Sequence, residues 1–301
     1  MWWGTPGPDQ QSMDDDALVY DSKPLSISME ILGLPLARLR VSADATRANW
    51  VVRLCDVAPD GSVTQVGGGA CNGTHERHSA REPADLIPGE EFDLDVPMHF
   101  TSWVFPAGHR IRFALTNAMW PMLWPTPHPM TTTLAVSGPD AARIILPVIP
   151  AADPDETARP APSFREPETA GSMLPGKWGS LESGNTSGYG EIDEIQRDDA
   201  TGEASGVATN RTSSQFPWGK EHFEESIEHR TSDVDPSQTS VTGRYALTEE
   251  LDDGRTIRLE QEVAFTSDVE SFRLVFDRRV RVNGELIREK RWDETFSRDF
   301  Q

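Results

Sequence analysis

This sequence predicts an all-β fold: two strand-rich regions in succession, each made of short antiparallel strands joined by turns. Three observations predict it. Apolar residues recur with a period of two in segment after segment, the spacing that puts alternate side chains on one face of a strand. Glycine and proline number 23 each in 301 residues, an abundance that suits many tight turns. A proline-dense stretch poor in apolar residues, 151–177, divides the two regions.

Residues 1–23 are polar and irregular. In NWVVRLCDV, Trp50, Val52 and Leu54 share one strand face, and Val51, Arg53 and Cys55 the other. Ala58 to Gly61 (APDG) ends that strand, because proline presets φ and glycine accepts a positive φ. DLDVPMHF alternates Leu94, Val96, Met98 and Phe100 against Asp93, Asp95 and His99, and RIRFALT aligns Ile111, Phe113 and Leu115. Short strands at this spacing predict a sandwich or barrel. Pro154, Pro160, Pro162, Pro167 and Pro175 remove amide donors and fix φ, so 151–177 reads as an extended linker. Gly179 to Gly190 continues as loop.

Residues 178–301 form the second region. TIRLEQEVAFT points Ile257, Leu259, Val263 and Phe265 inward. Phe272, Leu274 and Phe276 alternate with Arg273 and Asp277 ahead of Asn283-Gly284, a pair suited to a type I′ turn because both residues accept positive φ. The pattern predicts an antiparallel meander. One exception is Trp218 to His229 (WGKEHFEESIEH), where Phe223 and Ile227 are four apart and a short helix is expected.

The formal net charge is −21, with 17 acidic against 10 basic residues in 1–150 and 32 against 18 in 151–301. Such a chain repels phosphate backbones, which argues against a nucleic-acid partner. It holds no apolar run of about 18 residues, so no membrane-spanning helix is expected. The start, MWWGTPGPDQQSMDDDALVY, lacks the charged and apolar regions of a signal peptide, and the cytoplasm is the expected location. The sequons at Asn72, Asn185 and Asn210 are then chance matches. Cys55 and Cys71 are too few for a disulfide framework.

The chemistry expected of an enzyme is hard to find. A serine nucleophile of the α/β-hydrolase type needs a tight strand-to-helix elbow, GxSxG, and the chain has no match. Ser183 and Ser187 sit in glycine-bearing loops without that context. His75 and His78 are three apart, whereas paired zinc ligands sit four apart on a helix or two apart on a strand. Cys55 and Cys71 could join them, but Cys55 reads better as a small buried strand residue. DVAPDG and Asp252 to Gly254 offer too few oxygen ligands for calcium. GGGA at Gly67 lacks the lysine and helix of a phosphate loop. No catalytic, cofactor or metal residue is therefore assigned, and no cofactor is expected. The most unusual local feature is AMWPMLWPTPHP. Trp120 and Trp124 each precede a proline, which makes an extended, rigid loop. The two rings could line a site for a sugar, peptide or acyl group. Aromatic residues more often supply burial, here on a domain core or another domain.

Six ordered segments then carry a resemblance. They are DDDALVYDSKPL with the following EILGLP, VVRLCDVAPDGS, REPADLIPGE, FPAGHRIRFAL, WPMLWPTP and the closing ILPV. Together they resemble the C-terminal, non-catalytic jelly roll of CocE/NonD family hydrolases and Xaa-Pro dipeptidyl-peptidases. The resemblance implies a jelly-roll β-sandwich (galactose-binding-like) over 1–150. Residues 178–301, ending in KRWDETFSRDF, resemble the β-rich tail of longer members. In that family the nucleophile, acid and histidine belong to an upstream α/β-hydrolase domain, so none of the triad carries over. His109 of the AGHR segment looks structural there, fixing a turn before a strand. Members enter the jelly roll through strands that this chain lacks, and a missing strand exposes a sheet edge ready to pair.

The favoured expectation is thus an accessory, non-catalytic part of a serine hydrolase acting on ester or amide bonds, inactive alone. Its expected partner is an α/β-hydrolase catalytic domain or subunit, with self-association through the open edge as the alternative. Trp120, Trp124, Phe105 and His109 are the residues expected to touch a partner or wall a substrate pocket. A second reading is a free-standing carbohydrate- or peptide-binding sandwich, favoured if Trp120 and Trp124 are solvent-facing and coplanar. The weakest is a metallohydrolase using His75 and His78.

Overall fold

The structure is a computed structural model that describes residues 9–76, 81–139, 141–150 and 192–301. The described residues are all-β, with one four-residue α-helix at Gly73–Glu76. The stretch expected to be the linker and the loop that follows, with Ser183, Ser187, Asn185 and His78, lie outside the described residues.

The first region is a β-sandwich. One sheet has the order β1 (Leu18–Asp21), β8 (Arg110–Thr116), β4 (Asn49–Val57), β5 (Val63–Asn72). The facing sheet pairs β3 (Leu36–Ala43) with β6 (Phe92–Pro97) on one side and with β9 (Thr132–Leu134) and β10 (Arg143–Ile145) on the other. A two-stranded pair, β2 (Met29–Gly33) and β7 (Thr101–Phe105), completes it. Every pairing is antiparallel.

The alternation read from the sequence sets which side chains meet. Trp50, Val52 and Leu54 of β4 pack with Leu39 and Val41 of β3, Leu94 and Val96 of β6, and Phe113 and Leu115 of β8. The other face of β4 is buried too, because the segment before β1 crosses it. Arg53 donates to the Met13 carbonyl at 2.9 Å and to the Asp14 carboxylate at 2.6 Å. Leu94, Val96 and Met98 are buried as expected, but Phe100 is exposed, since β6 ends at Pro97 and the alternation with it. One of the GGGA glycines has a packing reason: a Cβ at Gly69 would run into the Pro97 carbonyl, so β5 and the end of β6 approach closely because that side chain is missing.

The second region is one seven-stranded antiparallel meander: β11 (Ile192–Asp198), β12 (Glu203–Phe216), β13 (Gly219–Ser232), β14 (Ser240–Leu251), β15 (Thr256–Ser267), β16 (Ser271–Val282) and β17 (Glu285–Ser297), each paired with the next. The Asn283-Gly284 turn forms as expected, with φ of 51° and 83° between β16 and β17. The helix expected at Trp218–His229 does not form; that stretch is most of β13. A spacing of four fits a strand face as well as a helix face. Phe223 and Ile227 lie on the same side as Leu247 and Gly243, their partners on β14. Backbone pairing on both edges of β13 outweighs a short helix that could satisfy only its own amides.

Register divides the sheet into two unlike faces. One carries Phe223, Leu247, Leu259 and Val280 in a row, with Ile227, Val263, Phe276 and Trp292 in the next. The other is a lattice of charge in which Arg279 meets Glu289 at 2.8 Å, Arg291 meets Asp277 at 2.7 Å, and Arg258 and Arg281 flank Glu260 at 3.0 and 3.3 Å. Acidic residues on this face are thus matched by arginines, across strands for Arg279, Arg281 and Arg291 and within β15 for Arg258.

Candidate functional site

The Trp120–Trp124 loop follows β8 and does not run extended as expected: residues 120–122 form a turn, with a cis Trp120–Pro121 peptide and the Leu123 amide donating to the Met119 carbonyl at 2.9 Å. It lies against the seven-stranded sheet. Trp124 packs edge-on to Phe265 at 4.9 Å and Phe272 at 5.6 Å between ring centres, and Trp120 meets His229 at 5.9 Å. The two indoles are 5.0 Å apart at 87°, so they form no coplanar platform. The Trp124 indole N–H donates to the Ser267 hydroxyl at 2.9 Å, and that hydroxyl donates to the Ser237 carbonyl at 2.6 Å. Burial holds His229 below the usual imidazole range, which favours its neutral form beside Trp120.

Arg298, just beyond β17, closes the contact. Its side chain is 1% exposed, and its guanidinium lies 5.0 Å from the centre of the Phe272 ring. It donates to the Asp268 carbonyl at 2.9 Å and to the Pro125 carbonyl at the end of the tryptophan loop. With neutral acceptors in these bonds, burial pulls the guanidinium down to about 10, and the like charge of Arg47 adds to this. The chain around Arg298 is held in turn by the sandwich. Arg47 donates to the Arg298 carbonyl at 2.9 Å, and Asn72 and Thr74 both donate to the Phe300 carbonyl at 2.8 Å. The Asn72 side chain, nominally a glycosylation acceptor, is committed to these bonds and to Thr74.

His109 stands at the turn before β8. Its Nδ1 lies 2.8 Å from one carboxylate oxygen of Asp56 on β4, and the other oxygen accepts from the Trp103 indole at 3.0 Å. Asp56 is buried, so it ties the turn and β7 to β4. Phe105 is wholly buried in the sandwich core and offers no surface. The structure therefore brings Trp120 and Trp124 together on the sheet and places His109 and Phe105 elsewhere.

Among the described residues no three histidine, cysteine, aspartate or glutamate side chains gather as a metal site. His75 Nδ1 is 3.0 Å from the Thr74 hydroxyl. Cys55 and Cys71 are buried thiols; the Cys71 sulfur lies 3.6 Å from the Asp95 carbonyl, and burial pushes Cys55 up to about 11. No helix among the described residues is long and apolar enough to cross a membrane. Sequence reasoning singled out the tryptophan loop but missed Arg298, Ser267 and His229. Their partners in the tryptophan loop lie more than a hundred residues away, and Arg298 meets it at a backbone carbonyl, which leaves no side-chain signal.

Residues 5–148 match the family model of the X-Pro dipeptidyl-peptidase C-terminal non-catalytic domain. The sandwich is thus similar to a domain described as C-terminal and non-catalytic in X-Pro dipeptidyl-peptidases. Among curated relatives, the chain is 31% identical over 127 residues to a protein of Mycobacterium bovis named as a serine esterase, covering 37% of this chain and 20% of that one. It is 32% identical over 110 residues to the cocaine esterase of a Rhodococcus strain, covering 36% and 18%. The chain spans about a fifth of the length of these relatives. A solved aminopeptidase from a marine sediment archaeon of the Thaumarchaeota aligns at 22% identity and a TM-score of 0.45, covering 49% of this chain and 30% of that one.

Proposed function

We propose that this chain is the non-catalytic accessory part of a serine hydrolase acting on ester or amide bonds. It packs on an α/β-hydrolase catalytic domain and walls part of that domain's substrate pocket. The observation that carries the reading is the match of residues 5–148 to a domain described as non-catalytic, in a sequence with no GxSxG elbow. On this reading residues 1–150 are the jelly roll, 151–177 the linker and 178–301 a tail domain. In the complete enzyme a serine would attack the carbonyl, with histidine as base and an oxyanion hole, all supplied by the partner. Two buried cysteines are consistent with a reducing cytoplasm. The engaged, mutually perpendicular Trp120 and Trp124 weigh against a sugar-binding platform.

The test is hydrolysis of a short-chain p-nitrophenyl ester by the purified chain, alone and co-expressed with a candidate α/β-hydrolase polypeptide. Turnover by the co-purifying pair and none by the lone chain is the expected result. Turnover by the lone chain, with labelling by a serine-directed fluorophosphonate, overturns the reading.

A further inference from the structure

Inward-facing side chains of a sandwich are buried wherever both sheets continue past them. β4 obeys this, with Trp50, Val52 and Leu54 at 0% exposure. β1, in the same sheet, does not. Leu18 and Tyr20 pair with Leu115 and Phe113, so their side chains point to the same inner side, yet they are 46% and 41% exposed. β1 is the edge of its sheet, and β9 with β10 forms an edge of the facing one. Between them lies a cleft of about 370 Å³, lined by Tyr20, Ile111, Phe113, Leu134, Val136 and Ile144, among others.

Among the described residues the backbone beside this cleft is also unpaired. Ser22 donates its amide to the Ile111 carbonyl at 2.9 Å, which turns the even-numbered residues of β1 toward β8. In an antiparallel ladder the alternate residues face away, so the amides and carbonyls of Val19 and Asp21 point to the open side. Among the described residues no strand pairs there.

We propose that this cleft is a strand-acceptor site for an extended segment of another polypeptide. The segment adds to β1 through the backbone of Val19 and Asp21 and inserts apolar side chains two residues apart beneath Tyr20. Charge selects the occupant. Asp15 is exposed just before β1, next to Asp16, which pairs with Arg197 at 3.6 Å, so a lysine or arginine flanking the incoming strand beside Asp15 is favoured. A second copy of this chain would bring another net −21 and is repelled. The proposal deepens the accessory reading and rests on it for the source of the strand, which is the catalytic polypeptide.

The test uses a fluorescein-labelled peptide, acetyl-KTVTLTK-amide, with the full chain, read by anisotropy and by amide exchange at Val19 and Asp21. Saturable binding with slowed exchange at those two amides is expected. Val136→Asp, at a position 58% exposed and therefore free of folding demands, should weaken binding at least about tenfold. Phe100→Asp, at an exposed apolar position outside the cleft lining, should leave it unchanged. Absence of saturable binding up to about 1 mM, or equal weakening by Phe100→Asp, overturns the proposal. A dimer seen by sedimentation and dissolved by Val136→Asp also overturns it, by giving the cleft to a second copy. The peptide assay contains no hydrolase. A catalytic chain that co-purifies while the peptide is ignored leaves the accessory reading standing and removes this one; the reverse result separates them the other way.

Discussion

Trp124 and Ser267 are 143 residues apart in sequence and joined by a 2.9 Å hydrogen bond from indole to hydroxyl. The bond sits inside an aromatic contact, between Phe265 and Phe272, so it is shielded from water on the ring side. Trp124→Ala should cost about 3 kcal/mol, the loss of a large half-buried ring and its contacts. Trp124→Phe keeps a ring and loses only the donor, for about 1 kcal/mol. Scanning calorimetry checks both, and the alanine variant should show the sandwich and the seven-stranded sheet melting as two separate transitions.

Asp56 accepts from Trp103 and pairs with His109 while buried. His109→Ala removes one partner and leaves a carboxylate oxygen inside the protein without it, at a cost of about 1–3 kcal/mol. Urea unfolding at neutral pH measures the loss. Amide exchange should report it first at Leu25 and Gly108, whose backbones bond each other's turn.

Asp21 makes paired bonds to Arg112 at 2.7 and 2.8 Å, and this, opposed in part by burial, holds its carboxyl below the usual aspartate range. A depressed folded-state pKa means the unfolded chain takes up the proton first as pH falls. The contribution is therefore complete above about pH 4 and is lost as pH drops through the folded value. Asp21→Asn should flatten the dependence of the urea midpoint on pH between about 4 and 2, and leave its slope unchanged between about 5 and 7.

Cys55 and Cys71 should both be silent to a thiol reagent in the folded chain at pH 8. Cys55 is held protonated by burial, and both are closed to solvent. Two equivalents should appear on unfolding in guanidinium. A native-state equivalent at pH 8 would mean that β4 or β5 opens locally.

The residues that declared themselves in the sequence were those whose partners are implied by local rules. Asn283-Gly284 announced a turn because positive φ at two successive positions suits few other pairs. Trp50, Val52 and Leu54 announced a face because strand periodicity is two. Phe223 and Ile227 misled because a separation of four is common to both periods, and only the flanking strands decide between them. Arg298 was invisible for a different reason. A buried arginine is normally sought through a carboxylate, and here the acceptors named are the main-chain oxygens of Asp268 and Pro125. The Trp120–Trp124 loop stood out by composition, but the surface that receives it is assembled from β13, β15 and β16, which no local pattern links to it.

The bonds to Arg298 and Phe300 bear on the order in which the molecule comes together during synthesis. Arg47, Asn72 and Thr74 leave the ribosome with the sandwich, yet the carbonyls they hold are made 226 to 251 residues later. From the synthesis of the tryptophan loop until that of Phe272, about 150 residues later, the indoles lack the sheet they lie on. A nascent chain of this kind carries a temporary apolar patch, covered once residues 229–272 emerge and fastened by Arg298, and in that interval a chaperone or a premature encounter with another chain can claim it.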